Sequence, residues 1–446
     1  MRSIPEKARP SWSGYDSAIF PLAVVSLGHL VVDMYLGGFP VLFPRLQERY
    51  GLTYGEIGLL MLLAQLSSSV VQPLLGLWSD RLKARWILPA GLALSALGLA
   101  VVVLAPNFLM ALAGTTVMGL GVAAYHPEAS KLAMFAGGKR KAAAMSAFAL
   151  SGNVGLSLGP GLMALGLAWL SGGGGGETLG ALVFLPFALG MALAVQSGKE
   201  RLYAVLPPPK AQGQAAGDLA KAREAKQSEK ERSRPRRAAL VGASLSVRRW
   251  PAHYRWMLLL LIYIFIRSSA HAGLQALIPL YYQDGTGAAG VYSSWALTAF
   301  LAGGAAGTLF GGILGDAVGA RPVAVASFLL SAPLIGALPH LGSGPAALLA
   351  LFAAGVTLIA SFSLTTVMGQ KLLPERVGLA SGLTLGFSVG TGGIGAALLG
   401  VIADAWGLGS VWMVVAALLL AGSALAWALP KDEAVEAHFA GDQETS

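Results

Sequence analysis

Two apolar blocks of the chain are joined by the stretch Gly76-Leu-Trp-Ser-Asp80-Arg81-Leu-Lys-Ala-Arg85, and two others are joined by Gly312-Ile-Leu-Gly-Asp316-Ala-Val-Gly-Ala-Arg321. These stretches decide the fold because they are two copies of one pattern. Asp80 and Asp316 are 236 residues apart, and so are Arg85 and Arg321. Spacing, loop position and hydropathy repeat together, which predicts two similar halves in parallel orientation.

The apolar blocks around these stretches have the length of membrane-spanning helices. The chain is 55% hydrophobic and only 12% charged, whereas an ordinary soluble domain is about 25% charged. A helix needs about 20 mostly apolar residues to cross the hydrocarbon core of a bilayer. Twelve such blocks predict an all-α membrane protein with twelve transmembrane helices. They lie near residues 18–42, 54–78, 86–104, 108–130, 142–168, 178–197, 255–281, 290–315, 322–340, 345–370, 377–404 and 408–429.

One long polar stretch divides the predicted helices into two groups of six. Residues 198–253 contain three consecutive prolines and a run of lysines and arginines, with few apolar side chains. Such a segment cannot bury enough apolar surface to order itself. We therefore predict an N-terminal six-helix bundle over 1–197, a cytoplasmic linker over 198–253, and a C-terminal six-helix bundle with a cytoplasmic tail over 254–446.

The distribution of positive charge predicts the orientation in the membrane. If the amino terminus is cytoplasmic, the outer loops contain only Arg45 and Arg49 of the 31 lysines and arginines, and Arg267 lies within the seventh helix. Lysine and arginine accumulate on the cytoplasmic side of membrane proteins. We therefore expect a multi-pass protein of a bacterial inner membrane with both termini in the cytoplasm. The net charge of +9 then reports topology and not a nucleic-acid partner.

Several kinds of site are excluded by what the sequence lacks. There is no cysteine, so no thiolate nucleophile or cysteine metal site is possible. Neither a zinc-protease motif nor a phosphate-binding loop occurs. We expect no enzyme activity, no cofactor and no metal site. The expected partners are the lipid bilayer, protons and a small-molecule substrate, bound by a monomer.

Ionisable side chains inside the predicted helices are the candidate functional residues, because charge at bilayer depth is costly. Asp33 and Glu128 are the two carboxylates well inside predicted helices, and His29 precedes Asp33 by four residues on the same helix face. His126 and Glu128 stand on either side of Pro127, which frees a backbone carbonyl and bends the helix. In the second half Arg267 and His271 are also four residues apart.

Two interpretations of these charges remain open. In the first, Arg267 neutralises Asp33 or Glu128 in a structural ion pair. In the second, a carboxylate takes up a proton while Arg267 holds an anionic substrate. A histidine inside a membrane often only bonds neighbouring helices, although one beside a carboxylate can relay protons.

The repeated polar stretch resembles the signature loop of the major facilitator superfamily. In that family's fold, the resemblance implies that Asp80 meets a helix amino terminus and that Arg81 and Arg85 pair with acidic groups and carbonyls. This would latch the bundles in one state. The candidate latch residues are Gly76, Asp80, Arg81 and Arg85 in the first half, and Gly312, Asp316 and Arg321 in the second.

Five further motifs resemble one branch of this family, that of the fosmidomycin resistance proteins. They are His29-Leu-Val-Val-Asp33, Ser68-Ser69-Val-Val-Gln72-Pro73, Tyr125-His126-Pro127-Glu128, Gly152-Asn153-Val-Gly155-x-x-x-Gly159-Pro160 and Leu372-Leu373-Pro374-x-Arg376-x-Gly378-Leu-x-Ser381-Gly382. The resemblance implies proton-driven efflux of an anionic phosphonate. It also implies that helices 1, 4, 7 and 10 surround a central cavity, with Asp33, Glu128, His29 and His126 coupling protons.

Polar and small residues complete the candidate site. We assign substrate binding to Arg267, His271 and Asn153, and Gln370 on helix 10 could hydrogen-bond the substrate. Gly155, Gly159 and Pro160 resemble the glycine–proline motif of drug–proton antiporters, although ordinary close packing accounts for these residues equally well.

Three functions compete at this point. The first is a proton–substrate antiporter that exports a small anionic drug or metabolite, such as fosmidomycin, by alternating access. The second is a nutrient uptake symporter or uniporter of the same fold. The third is an intramembrane hydrolase that uses Ser157, in Gly155-Leu-Ser157-Leu-Gly159, with His126 or His29. A nucleophile elbow needs a strand–turn–helix context, and this motif lies within a predicted membrane helix.

Overall fold

Long apolar helices make up nearly all of the structure. It is a computed structural model that describes residues 13–72, 74–75, 85–170, 182, 184–206, 252–287, 290–374, 379–380, 382–435 and 437–438. Within these ranges no residue lies in a β-strand. Gly76, Asp80, Arg81 and residues 207–251 of the predicted linker lie outside the described residues, so their assignments stay predictions.

In the described ranges, twelve main helices occupy the positions of the twelve predicted blocks, and we number them in chain order. They are α1 Ser13–Gly38, α2 Tyr54–Ser69, α3 Ile87–Leu104, α4 Phe108–Ala136, α5 Lys141–Leu170, α6 Leu185–Ser197, α7 Ala252–Leu280, α8 Gly290–Val318, α9 Ala320–Leu341, α10 Pro345–Ile359 continued by Phe362–Leu372, α11 Phe387–Trp406 and α12 Leu408–Trp427. Among the described residues, ten helical segments are long and apolar enough to cross a membrane. The two shorter helices, α2 and α6, lie close to stretches outside the described ranges. The all-α membrane fold is therefore confirmed.

Helix packing repeats between the two halves. In the first half α1 packs on α5, α2 on α4, α3 on α4 and α3 on α6. The corresponding pairs six helices later are α7 with α11, α8 with α10, α9 with α10 and α9 with α12, and all of them pack. The halves meet through two further pairs, α2 with α11 and α5 with α8. These two pairs correspond to each other under the same repeat, so the sequence duplication is also a structural one.

Because α1 begins and α12 ends at the same end of the bundle, we call that end the proximal face and the other end the distal face. The positive-inside pattern predicts that the proximal face is cytoplasmic. The two arginines predicted for the other side lie in the short helix Phe43–Tyr50 at the distal face. There Arg49 donates to the carbonyl of Val103 at 2.9 Å, at the end of α3. A cation at a helix carboxyl end is favourable, which gives this distal arginine a structural role.

Glycines bring helices of one bundle into backbone contact. On α8, Gly303, Gly307 and Gly311 lie against the carbonyls of Phe352, Val356 and Ala360 on α10. Small residues at this spacing let helices approach closely in lipid, where packing replaces the hydrophobic effect as the source of association. Close helix packing is a sufficient explanation for the glycines at this spacing, and we assign them no role in ligand binding.

We predict that Gly307→Ala lowers the melting temperature of the purified protein, because the added methyl group would overlap the Val356 carbonyl. Overpacking of this kind costs about 1–3 kcal/mol. The matched control is Gly190→Ala on α6, where no atom lies within 4 Å of the added carbon. Thermal unfolding in detergent measures both. Equal melting temperatures for the two variants would show that the close approach of α8 and α10 is not as described.

Candidate functional site

Three ionisable side chains predicted from the sequence converge between α1 and α4. The His29 Nε2 atom lies 3.2 Å from an Asp33 carboxylate oxygen, one turn along α1. The His126 Nε2 atom, on α4, lies 3.3 Å from the other Asp33 oxygen and 3.2 Å from His29 Nε2. We call this set the His–Asp–His cluster. The sequence predicts the pair on α1, and the structure adds His126 to it.

The backbone fixes the orientation of both imidazole rings. His29 Nδ1 is 2.8 Å from the Phe148 carbonyl, and His126 Nδ1 is 2.8 Å from the Val122 carbonyl. A carbonyl only accepts, so each Nδ1 carries the hydrogen and donates it. In the neutral rings both Nε2 atoms are then bare acceptors that face each other and a carboxylate. Three acceptors at this spacing repel one another unless a proton or another cation lies among them.

The surroundings of the cluster are tightly packed. The His29 ring stacks on Phe148 of α5 with a centroid separation of 4.1 Å. Gly152, one turn further along α5, lies where any side chain would overlap His29 and Asp33. Gly155 and Gly159 continue this line against the α1 backbone at Leu30 and Met34. The glycines of helix 5 therefore let α1 approach closely and keep space for His29 and Asp33. Close packing by this motif thus also sets the positions of the candidate functional residues.

Glu128 lies in a different environment from its neighbour His126. Its carboxylate accepts from the Lys131 ammonium at 2.6 Å, one turn along α4, and both atoms belong to a buried or half-buried side chain. Residues two apart on a helix do not face each other, so Glu128 points away from the His–Asp–His cluster. The resemblance places Asp33 and Glu128 near one chamber, and the structure gives each carboxylate different neighbours, the two histidines for Asp33 and Lys131 for Glu128.

Arg267 on α7 is a buried cation. Its side chain is 1% exposed. One guanidinium nitrogen donates to the Ser388 hydroxyl of α11 at 3.2 Å, and the guanidinium lies over the Phe362 ring at 4.9 Å. The other terminal nitrogen, Nη1, is buried with no hydrogen-bond partner. Among the described residues no carboxylate pairs with it, because the partners of Asp33 and Glu128 are the histidines and Lys131.

A break in α10 lies beside Arg267. Between its two segments, Ser361 accepts from the Tyr263 hydroxyl at 2.8 Å, and Phe362 begins the second segment directly below the guanidinium. Ser388 is held in turn by Ser268, with 2.7 Å between the two hydroxyl oxygens. Broken helices in membrane proteins occur where backbone lines a cavity or is buried in protein. Here the break is buried in protein, and it positions the Phe362 ring against the Arg267 guanidinium.

The cluster and Arg267 lie at the same depth on neighbouring helices. The Gln275 side chain of α7 donates to the Leu36 carbonyl of α1 at 3.4 Å, which fixes the register of the two helices. His29 lies seven residues before Leu36 and Arg267 eight before Gln275. At about 1.5 Å per residue, both lie about 10–12 Å from that contact, toward the proximal face. One ionisable site thus comes from each bundle.

The remaining candidates lie at varying distances from these groups. His271, one turn beyond Arg267, stacks on Phe300 of α8 with 5.4 Å between ring centroids. Asn153 follows Gly152 on α5 and is half-buried. Gln370 lies eight residues beyond Phe362, about 12 Å along α10 toward the proximal face. Substrate binding by these three residues stays a prediction.

The contacts of the described latch residues do not cross between the bundles. Arg85 pairs at 3.0 Å with Glu200, at the start of the predicted linker. Arg321 lies 5.3 Å from the centre of the Trp427 ring on α12. Gly312 is half-buried near Ser363, and Asp316 is exposed. Ser157, the nucleophile of the hydrolase alternative, donates to the Asn153 carbonyl at 2.7 Å.

Comparisons with known proteins agree with this architecture. The sequence profile of the Major Facilitator Superfamily matches residues 25–294 and 260–445. The fosmidomycin resistance protein of Escherichia coli (strain K12) is 32% identical over 404 residues, which is 90% of each chain. The uncharacterized MFS-type transporter YfnC of Bacillus subtilis (strain 168) is 32% identical over 419 residues, 94% of each chain.

Solved structures show the same fold. A bacterial homologue of the human lysosomal transporter Spinster, in an inward-facing and occupied conformation, superposes with a TM-score of 0.70 at 15% identity, covering 92% of this chain and 96% of that one. The nucleoside transporter NupG gives a TM-score of 0.65 at 13% identity, covering 95% and 99%. The chain therefore belongs to the major facilitator superfamily of membrane transporters. Within that family it is a member of the branch of the fosmidomycin resistance protein.

Three residues of the site are not predicted by the sequence reasoning. Lys131 follows Glu128 by three residues, a spacing at which helix ion pairs form, so this signal was readable. Ser388 and Phe362 contact Arg267 from other helices, and no local pattern connects them to it.

We predict that Gly152→Ala lowers the transport rate at least about tenfold, because the added methyl group displaces His29 and Asp33. The matched control on the same helix is Gly161→Ala, whose added carbon would make only ordinary contacts of 3.5 Å or more. Both variants are assayed for flux in proteoliposomes at equal protein abundance. An unimpaired Gly152→Ala variant would contradict a function for the cluster geometry.

Proposed function

We propose that this transporter exports a small anionic drug or metabolite in exchange for protons, by alternating access to a site between its two bundles. The observation that carries the proposal is Arg267, a fully buried cation with an unpartnered guanidinium nitrogen and no carboxylate partner among the described residues. The proposal extends to this chain what the name of its Escherichia coli relative says of that protein, resistance to fosmidomycin.

The charge of Arg267 indicates the class of substrate. Guanidinium stays protonated at any physiological pH, so burial does not remove its charge. An uncompensated buried charge is strongly destabilising, whereas an opposing charge with good hydrogen bonds offsets that cost. The unpartnered Nη1 and the hydroxyl-bound nitrogen together present donors that suit a phosphonate, phosphate or carboxylate. A substrate anion would therefore supply the partner that the described protein groups do not.

The His–Asp–His cluster is the proposed proton site. Its three acceptors require an added proton, and loss of that proton leaves them in mutual repulsion, so the cluster has two states of different geometry. Glu128, buried and paired with Lys131 toward the proximal face, is the proposed relay between the cluster and that face. The depth shared with Arg267 lets proton and anion act on the same conformational step.

Electrostatics alone also favours a second function, proton–anion symport. A protonated cluster and an anion attract each other, so joint occupancy is favourable at close range. Antiport requires that the protein with both proton and anion bound does not switch between its inward-open and outward-open forms. The protein with only one of the two bound must be able to switch. The name of the Escherichia coli relative, a fosmidomycin resistance protein, favours export. The attraction between a protonated cluster and a substrate anion favours cotransport. The direction of proton movement decides between the two.

We predict that Arg267→Ala weakens the binding of anionic substrates at least about tenfold, since hydrogen bonds to charged groups contribute about 1.5–3 kcal/mol. Neutral esters of the same compounds should be affected much less. Binding of fosmidomycin and of its neutral ester to purified protein measures the difference. Arg255→Ala, which removes an exposed arginine near the start of the same helix, is the matched control.

Two outcomes for the Arg267 variants would change the interpretation. An equal loss of binding for charged and neutral compounds would assign Arg267 a structural role. Inactivity of Arg267→Lys, which keeps the charge, would show that the planar guanidinium geometry is needed as well.

We also predict that Asp33→Asn and Glu128→Gln each abolish proton-driven transport, because an amide resembles a carboxyl group in shape but cannot exchange a proton. Substrate exchange without a gradient should persist. Proton uptake and release on addition of substrate, followed with a pH dye, measures both variants and the double variant. Glu433→Gln, at an exposed acid near the proximal face, is the control. Undiminished proton exchange in the double variant would refute this proton path.

A further inference from the structure

An aspartate of the second bundle closes the first turn of a helix in the first bundle. Asp404, near the end of α11 at the distal face, accepts from the Tyr54 backbone N–H at 2.7 Å and from the Gly55 N–H at 2.8 Å. Both N–H groups belong to the start of α2. The contact joins residues about 350 positions apart and crosses from one half of the transporter to the other.

The first turn of α2 divides its hydrogen bonds between the two bundles. The first four N–H groups of a helix have no intrahelical acceptor. A reciprocal capping box within the first bundle takes the outer two: Glu56 N–H donates to the Thr53 hydroxyl at 3.2 Å, and Thr53 N–H donates to the Glu56 carboxylate at 2.9 Å. The two N–H groups between them, those of Tyr54 and Gly55, donate to the Asp404 carboxylate of the second bundle. Separation of the bundles at this face would leave those two without their acceptor.

Glycines on both helices make this contact possible. A side chain at Gly58 of α2 would overlap the backbone of Ala396 and Ala397 on α11. A side chain at Gly400 of α11 would overlap the backbone of Tyr54 and Gly55. The two helices therefore lie in direct backbone contact over their distal ends, which brings the Asp404 carboxylate to the amino end of α2, where the helix dipole favours a negative charge.

We propose that Asp404 is a gating residue of the transport cycle, which holds the distal face closed by capping α2 from the opposite bundle. The proposal rests on alternating access, as given under the proposed function. Among the described latch residues, Arg85 pairs with Glu200 of the predicted linker and Arg321 lies against Trp427 of its own bundle, so neither contact crosses between the bundles. The Asp404 cap crosses between bundles instead. It is exposed to solvent and of modest strength, so it can break and reform in every cycle.

The absence of cysteine from the chain makes the gate directly measurable. Spin labels on Leu109→Cys and Ser343→Cys, two exposed positions on the distal face in different bundles, report the opening of that face. Double electron–electron resonance then gives the populations of closed and open forms. We expect Asp404→Ala to shift the population about two- to fivefold toward the longer distance. Gly58→Ala should shift it in the same direction by separating the helices.

The matched control is Glu56→Ala, which removes a carboxylate from the same helix end but breaks contacts only within the first bundle. It should leave the distance distribution of the wild-type protein unchanged. An unchanged distribution in Asp404→Ala, or an equal shift in Glu56→Ala, would overturn the gating role.

The failure of the gate and the failure of alternating access give different results. If the labelled wild-type protein changes its distance distribution with fosmidomycin or with pH, and Asp404→Ala behaves identically, the gating proposal alone is wrong. If the wild-type protein keeps one distance under all conditions, alternating access and the gate fall together. A wild-type protein that moves, with the open form enriched in Asp404→Ala, supports both.

Discussion

A polar group in the hydrocarbon core of a membrane has no water to bind, and the rest of this structure depends on that constraint. The helices satisfy their own backbones, and most buried hydroxyl groups do the same locally. Ser67 donates to the Leu63 carbonyl at 2.6 Å and Thr115 to the Ala111 carbonyl at 2.9 Å, each one turn back. Against this background, the buried Arg267 Nη1 atom, which has no hydrogen-bond partner, is a candidate place for a substrate anion to bind.

The two proposed binding sites depart from local satisfaction, and they lie in different bundles at one depth. The His–Asp–His cluster has more acceptors than hydrogens, and Arg267 has a donor without an acceptor. The first arrangement suits a proton and the second an anion. Because each group belongs to one bundle, a relative movement of the bundles changes the distance between the two charges, which is how the proposed coupling would act on conformation.

The sequence predicts the fold more completely than the site, for a physical reason. Hydropathy and the repeat that relates Asp80 to Asp316 are local properties of the chain, so the helices and halves follow from them. The His29–Asp33 pair also follows from its spacing along one helix. The addition of His126 depends on the packing of α4 against α1, where the Tyr125 hydroxyl donates to the Val25 carbonyl at 2.7 Å. The contacts of Arg267 and Asp404 join distant segments, and no spacing rule reveals them.

The central claim is that proton movement in one direction drives an anion in the other, and flux from proteoliposomes tests it most directly. Vesicles filled with labelled fosmidomycin are diluted into buffers of lower or equal pH, and the loss of label is followed. An antiporter releases the compound faster when the outside is acidic, because entering protons drive it out, whatever the orientation of the protein in the vesicle. Slower release under the same gradient would show symport and contradict the account, and release independent of the gradient would show that protons do not drive transport at all.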